Sequence, residues 1–176
     1  MKNKSAYVTQ GALTVALYVV LTIISNFFGL ASGIVQVRLS EALTILPVFI
    51  PAAVPGLVVG CIISNVITGC AAYDVIFGAL ATLIGAHGTQ MLWKLCSGRL
   101  DGRLSRLLAV IPPIASNTLI VPWILSKVYD FEGSILYFTA TVFLGELISA
   151  GIGGQLLAKT LEPYREKLMK SQGPAD

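Results

Sequence analysis

Four stretches of the chain are apolar for long enough to cross a lipid bilayer as helices. They cover residues 7–28, 74–95, 107–126 and 134–158. A helix needs roughly 20 apolar residues to span a hydrocarbon layer of about 30 Å. Charged residues make up 12% of the chain, about half of the usual ~25% in soluble domains. We therefore predict an all-α integral membrane protein.

Residues 39–69 form a fifth apolar stretch that does not suit a single helix. At ~1.5 Å per residue one helix would be about 46 Å long, and Pro47, Pro51 and Pro55 would interrupt it. Two short helices that turn at Pro51–Pro55 would bring the number of spans to six. A re-entrant hairpin is the alternative, since each arm would be only about 15 residues long.

The basic residues fall in three clusters, and their distribution predicts the topology. Ten of the 12 Lys and Arg lie at residues 2–4, 94–106 and 159–170. The positive-inside rule places all three clusters in the cytoplasm, so residues 39–69 must cross twice or not at all. We predict a six-transmembrane-helix bundle with cytoplasmic N- and C-termini. Residues 1–160 would form one membrane domain, which its own first helix inserts, and residues 161–176 a short polar cytoplasmic tail.

Three carboxylates lie inside or at the edge of these apolar stretches: Glu41, Asp74 and Glu146. An acid in hydrocarbon is costly and usually faces a polar cavity or a partner. The predicted topology places six polar residues in the outer half of the bundle, namely Arg38, Glu41, Asn65, Asp74, Asn117 and Glu146. This convergence predicts a pocket open to the outside, for a solute that carries positive charge or hydrogen-bond donors.

Structural roles are possible for most of these residues. Arg38 and Glu41 could pair with each other, and Asp74 could interact with the dipole of its helix. Asn65 and Asn117 could join neighbouring helices. Glu146 favours function most, because its own helix has no cation within several turns.

Other patterns concern packing and the classes of function that the sequence excludes. Phe77 lies one turn from Asp74 and Phe143 one turn from Glu146, where either could stack on a ring. Small residues four apart, which allow close helix packing, occur at Ala12 and Ala16, Gly56 and Gly60, and Ala81 and Gly85. The sequence lacks a GxxxxGK[ST] loop, HExxH and GxSxG, has a single His, and its three Cys are embedded in apolar sequence. We predict no enzymatic activity, no metal site and no cofactor.

Residues 35–47 (VQVRLSEALTILP), continued by residues 51–56 (PAAVPG) and Gly60, resemble the signature of the QueT family. Residues 74–83, 117–121 and 145–147 fit the same family. The resemblance implies the substrate-binding S component of an energy-coupling factor (ECF) transporter, a class of ABC importer in the bacterial plasma membrane. Such six-helix, multi-pass proteins take up queuosine precursors such as queuine or aminomethyl-deazaguanine.

The resemblance also implies partners and roles for the pocket residues. Ala12 and Ala16 would dock onto the transmembrane T component, and two cytoplasmic ATPases would supply the energy. Glu146 or Glu41 would bind the guanine-like edge of the ligand, and Asp74 its amine or diol. Asn65 and Asn117 would complete the hydrogen bonds, Phe77 or Phe143 would lie against the ring, and Arg38 would orient Glu41.

Three other functions fit the residues alone. One is uptake of another vitamin or nucleobase-like solute by an S component. A second is a small proton-coupled secondary transporter with Glu146 as the proton carrier, although no internal repeat is visible. A third is a structural membrane subunit whose acids are assembly contacts.

Overall fold

The computed structural model describes residues 4–31, 36–127 and 134–170, and every regular element within these ranges is helical. The first half comprises helix α1 (Lys4–Phe27), a 3-10 helix (Leu39–Val48), α2 (Ala53–Ile67) and α3 (Ala72–Cys96). The second half begins with α4 (Gly102–Ala109), α5 (Ile111–Lys127) and α6 (Ile135–Glu146). Helix α6 continues through a π-helical segment (Leu147–Gly153) into α7 (Gly154–Leu161), a 3-10 turn (Glu162–Tyr164) and α8 (Arg165–Lys170).

Four helical stretches are long and apolar enough to cross a membrane, as predicted. They are Lys4–Phe27, Ala72–Cys96, Gly102–Lys127 and Ile135–Met169. Residues 39–69 fold as two shorter apolar helices, the 3-10 helix and α2, which confirms the prediction of two short helices there. The chain turns at residues 49–52, and Pro55 lies in the first turn of α2, where its missing N–H is not needed.

The 3-10 helix forms the centre of the bundle. Eight of its ten residues are buried, and it packs against α1, α2, α3, α4, α7 and the π-helical segment. At ~2.0 Å per residue it is about 20 Å long, and its hydrogen-bond geometry is poorer than that of an α-helix. Backbone of this kind is tolerated at membrane depth where protein surrounds it. The longer helices provide that surrounding, and Glu41 is thereby held inside the bundle.

Two of the three predicted small-residue pairs include glycines at close helix contacts. A Cβ on Gly56 would lie 2.8 Å from the Gly11 carbonyl oxygen, and one on Gly60 would lie 2.8 Å from Tyr18 Cβ. A Cβ on Gly85 would lie 2.7 Å from Pro113 Cα. These glycines let α2 approach α1 and α3 approach α5.

The end of the described chain, which belongs to the predicted polar cytoplasmic tail, packs against the bundle. The Arg165 guanidinium lies 4.3 Å from the centre of the Trp93 ring and 5.7 Å from that of Phe49. Glu162 forms ion pairs with Arg106 at 2.9 Å and with Arg165 at 3.3 Å. The charged side chains of this segment therefore form ion pairs and contact two aromatic rings of the core. Residues 171–176 of the predicted tail lie outside the described residues.

Substitution of Gly56 by Ala should destabilise the protein by about 1–3 kcal/mol, the usual cost of overpacking. The new Cβ would meet the Gly11 carbonyl oxygen at 2.8 Å and Thr14 Cβ at 2.9 Å, and a main-chain atom cannot move alone. Thermal unfolding in detergent measures the effect. Gly98→Ala is the control, since a Cβ there meets nothing within 4 Å. Equal melting temperatures for the two variants would contradict this packing.

Candidate solute-binding site

Three buried polar side chains from three elements meet inside the bundle. Glu41 of the 3-10 helix, Asn117 of α5 and Glu146 of α6 are 3%, 5% and 7% exposed. The Asn117 side-chain nitrogen donates to Glu146 Oε1 at 2.9 Å and to Glu41 Oε2 at 3.3 Å. The Asn117 amide thus links α5 to Glu41, which lies 76 positions earlier in the sequence.

Tyr18 of α1 completes the cluster, and the sequence analysis missed it. Its hydroxyl donates to Glu41 Oε1 at 2.6 Å, so both oxygens of Glu41 have donors. Its side chain is 1% exposed. Tyr18 belongs to an inward row of hydroxyl side chains three or four residues apart, namely Thr14, Tyr18, Thr22 and Ser25. That spacing places one face of α1 toward the bundle and was the available sequence signal.

Glu146 differs from Glu41 in that one of its oxygens has no partner. Glu146 Oε2 is buried and forms no hydrogen bond. A buried acceptor without a donor costs about 1–3 kcal/mol, and more when it is charged. The π-helical segment begins directly after this residue, and such segments often occur at functional sites. Glu146 therefore keeps one buried acceptor that a further donor could satisfy.

A cavity lies beside the cluster. About 20 Å³ of it is wide enough to admit the centre of a water molecule. One water needs roughly 10–15 Å³ by this measure, so a larger solute must displace a wall. The lining residues are Gln36, Arg38, Glu41, Cys61, Gly78, Thr82, Asn117, Val121, Val142 and Glu146. Across the ranges that the structure describes, no set of three or more His, Cys, Asp or Glu could hold a metal ion.

The segment Gln36–Arg38 is the only wall of the cavity without regular structure among the described residues. The Gln36 carbonyl lies against Gly145, where any Cβ would overlap it. The Val37 N–H donates to the Leu30 carbonyl and the Leu39 N–H to Ser25 Oγ, both at 2.9 Å. Gln36 and Glu146 thus line the same cavity, and the segment packs against the residue that precedes Glu146.

Arg38 lines the cavity but does not pair directly with Glu41. The ion pairs among residues 4–31, 36–127 and 134–170 do not include one between Arg38 and Glu41. Asp74 is the carboxylate that acts on it most strongly. Tyr18 and Asn117 are the hydrogen-bond donors to Glu41, and Arg38 acts on that carboxylate through its charge; that Arg38 orients Glu41 stays a prediction.

Asn65 and Asp74 lie behind the cavity wall, at Gly78. Both are buried, at 2% and 5% exposed. A Cβ on Gly78 would lie 3.2 Å from Asn65 Nδ2 and 3.6 Å from Asp74 Oδ1. The Asn65 amide also donates to the Asp74 main-chain carbonyl at 3.4 Å. These two predicted site residues are thus separated from the cavity by a residue without a side chain.

Phe77 and Phe143 do not line the cavity. They are 42% and 44% exposed, so they face outward, and the prediction that one of them stacks on a ligand ring is not supported. Two positions that are three residues apart differ by about 300° around the helix axis, so their side chains point about 60° apart. Side chains four residues apart point only about 40° apart, and Val142, four residues before Glu146, does line the cavity.

The fold and the cluster together define a helical membrane protein with a buried acidic cluster beside a cavity. The family model described as QueT transporter matches residues 8–163, and the chain belongs to this family.

One curated relative is the queuosine precursor transporter QueT of Lactococcus lactis subsp. cremoris (strain MG1363), which is 34% identical over 83 residues. That alignment covers 47% of this chain and 48% of the relative, so the chain spans about half the length of the relative it matches. No solved structure matches the chain.

Tyr18→Phe should lower the free energy of unfolding by about 1–3 kcal/mol. The change removes a hydroxyl that donates to a buried carboxylate at 2.6 Å and leaves that oxygen without this donor. Chemical unfolding of the purified protein measures the loss. Tyr73→Phe, at a side chain that is 61% exposed, provides the control. An unchanged Tyr18→Phe protein would show that the bond contributes nothing.

Proposed function

We propose that this protein is the substrate-binding S component of an ECF-type ABC importer in the bacterial plasma membrane. It captures a queuosine precursor, such as queuine or an aminomethyl-deazaguanine, from outside and delivers it inward. The observation that carries the proposal is Glu146 Oε2, a buried acceptor without a partner at the cavity. Membership of the QueT transporter family supports the transport role, and the name of the relative supports the substrate class.

The ligand chemistry fits the charges of the cavity. A deazaguanine offers N–H donors, one ring carbonyl and, in the aminomethyl form, an ammonium group. Glu146 and Glu41 accept from the donors, since charge-assisted hydrogen bonds are the strong ones. Arg38, the one basic residue among those that line the cavity, donates to the carbonyl. Asn65 and Asp74 lie behind Gly78 and stabilise that wall of the cavity.

Ligand capture requires one wall to move. The three basic clusters and the positive-inside rule favour cytoplasmic termini, with Gln36–Arg38 on the outer side. Arg165, stacked on Trp93 and Phe49, then closes the inner side. The cavity as it stands admits little more than a water molecule. We infer that the Gln36–Arg38 segment swings away from Gly145 to admit the ligand.

The partners dock on the outward face of α1. Ala12 and Ala16 are both exposed and lie one turn apart, so a second helix can approach closely there. This face binds the transmembrane T component, and two cytoplasmic ATPases drive release. The chain itself is a carrier and performs no chemical reaction.

Glu146→Gln should weaken binding of aminomethyl-deazaguanine about 10- to 100-fold. It keeps the shape of the side chain but removes a charged acceptor worth about 1.5–3 kcal/mol. Isothermal titration of purified protein measures the affinity. Asp101→Asn, at an exposed residue away from the cavity, is the control. If Glu146→Gln binds as tightly as the unmodified protein, the site assignment is wrong.

The double variant Ala12→Phe, Ala16→Phe should lose uptake in cells that contain the T component and ATPases, yet bind ligand normally. Two aromatic rings on this face would hold a partner helix away from the backbone of α1. Uptake of labelled ligand and titration of the purified variant separate the two effects. Leu119→Phe, on an exposed position of α5 (71% exposed), should leave both intact. Normal uptake by the double variant would exclude this docking face.

A further inference from the structure

Glu41 and Glu146 share a single hydrogen-bond donor. The Asn117 nitrogen reaches an oxygen of each, at 3.3 Å and 2.9 Å, so those two oxygens lie close together. Both side chains are more than nine-tenths buried. Two carboxylates in such proximity and out of water cannot both carry a full negative charge without a compensating cation.

Among the residues that line the cavity, no cation acts on Glu41 and Glu146 alone. Tyr18 of α1 donates a neutral hydrogen bond, and Cys61 of α2 and Thr82 of α3 are neutral lining residues. Arg38 is the one basic residue among those that line the cavity. Asp74 of α3 is the carboxylate that acts on Arg38 most strongly, so it competes for that positive charge. One compensating charge is missing from the pair.

We propose that Glu41 and Glu146 share one proton in the empty protein and release it to the outside when the ligand's protonated amine binds between them. The ammonium then replaces the proton's charge, and the binding site gains no net charge within the membrane. No covalent bond other than one O–H is broken. This inference rests on the proposed function and assigns the cationic end of the ligand to the carboxylate pair.

The exchange selects for substrates that carry a protonated amine. A neutral ligand of the same shape cannot replace the charge of the proton. It either binds while the proton stays on the pair or leaves two charged carboxylates side by side. A monovalent organic cation satisfies Glu146 Oε2, which has no partner, with a charged hydrogen bond. The site is therefore specific for an ammonium group attached to a planar ring, in preference to the ring alone.

Isothermal titration in two buffers with different ionisation enthalpies tests the exchange, since the difference in heat counts the protons released. The probes are aminomethyl-deazaguanine and its uncharged hydroxymethyl analogue. At about pH 7 we expect about one proton released per aminomethyl ligand and about none for the analogue. The affinity for the amine should also rise with pH, by up to about tenfold per pH unit, because protons compete with it.

Two variants complete the experiment. Glu146→Gln cannot share a proton, so its residual binding of the amine should release none and lose its pH dependence. Glu166→Gln, exposed on α8, should behave like the unmodified protein. If Glu146→Gln does not fold, the proton count and the pH series on the unmodified protein decide alone.

The outcomes separate the two proposals. Binding of the amine without proton release, or equal release by both probes, overturns the exchange and leaves the proposed function standing. Binding of neither probe overturns the proposed function, and the exchange with it.

Discussion

One amide nitrogen holds together the polar centre of this membrane protein. Asn117 Nδ2 donates to Glu41 and to Glu146, which come from two other elements. Without such a donor, two acids buried among apolar helices would repel each other and drive those elements apart. The bridge also uses up one oxygen of Glu146 and leaves the other without a partner. A single side chain thus stabilises the cluster and leaves one of its buried acceptors without a donor.

Close packing elsewhere in the bundle makes this arrangement possible. The 3-10 helix that carries Glu41 has most of its surface buried, and its neighbours can surround it only if they approach one another closely. Glycines at positions 56, 60 and 85 provide that approach, since a Cβ at any of them would lie within 3 Å of a neighbouring helix. In lipid, where apolar burial contributes little between helices, such contacts supply much of the association energy.

The sequence predicted the parts of this structure that depend on the contrast between charge and hydrocarbon. Long apolar stretches located the helices, prolines located the turn in residues 39–69, and carboxylates in apolar sequence indicated a cluster. The sequence analysis failed where the direction of a side chain around its helix axis decides whether that side chain lines the cavity. Phe143 and Val142 differ by one position beside Glu146, yet only Val142 lines the cavity. Tyr18 was missed because a tyrosine in an apolar helix is usual at a membrane boundary, and its bond to Glu41 spans 23 residues.

Helix α1 connects the proposed ligand site to the proposed docking face. Tyr18 points inward and bonds Glu41, whereas Ala16, two residues earlier, is exposed. Two residues rotate a helix by about 200°, so the two side chains lie on nearly opposite sides of one rigid element. A ligand that draws Glu41 toward itself must stretch or carry along the bond to Tyr18. Because backbone hydrogen bonds keep α1 rigid, any resulting displacement would reach Ala12 and Ala16 as well, so the proposed docking face would move with the proposed ligand site.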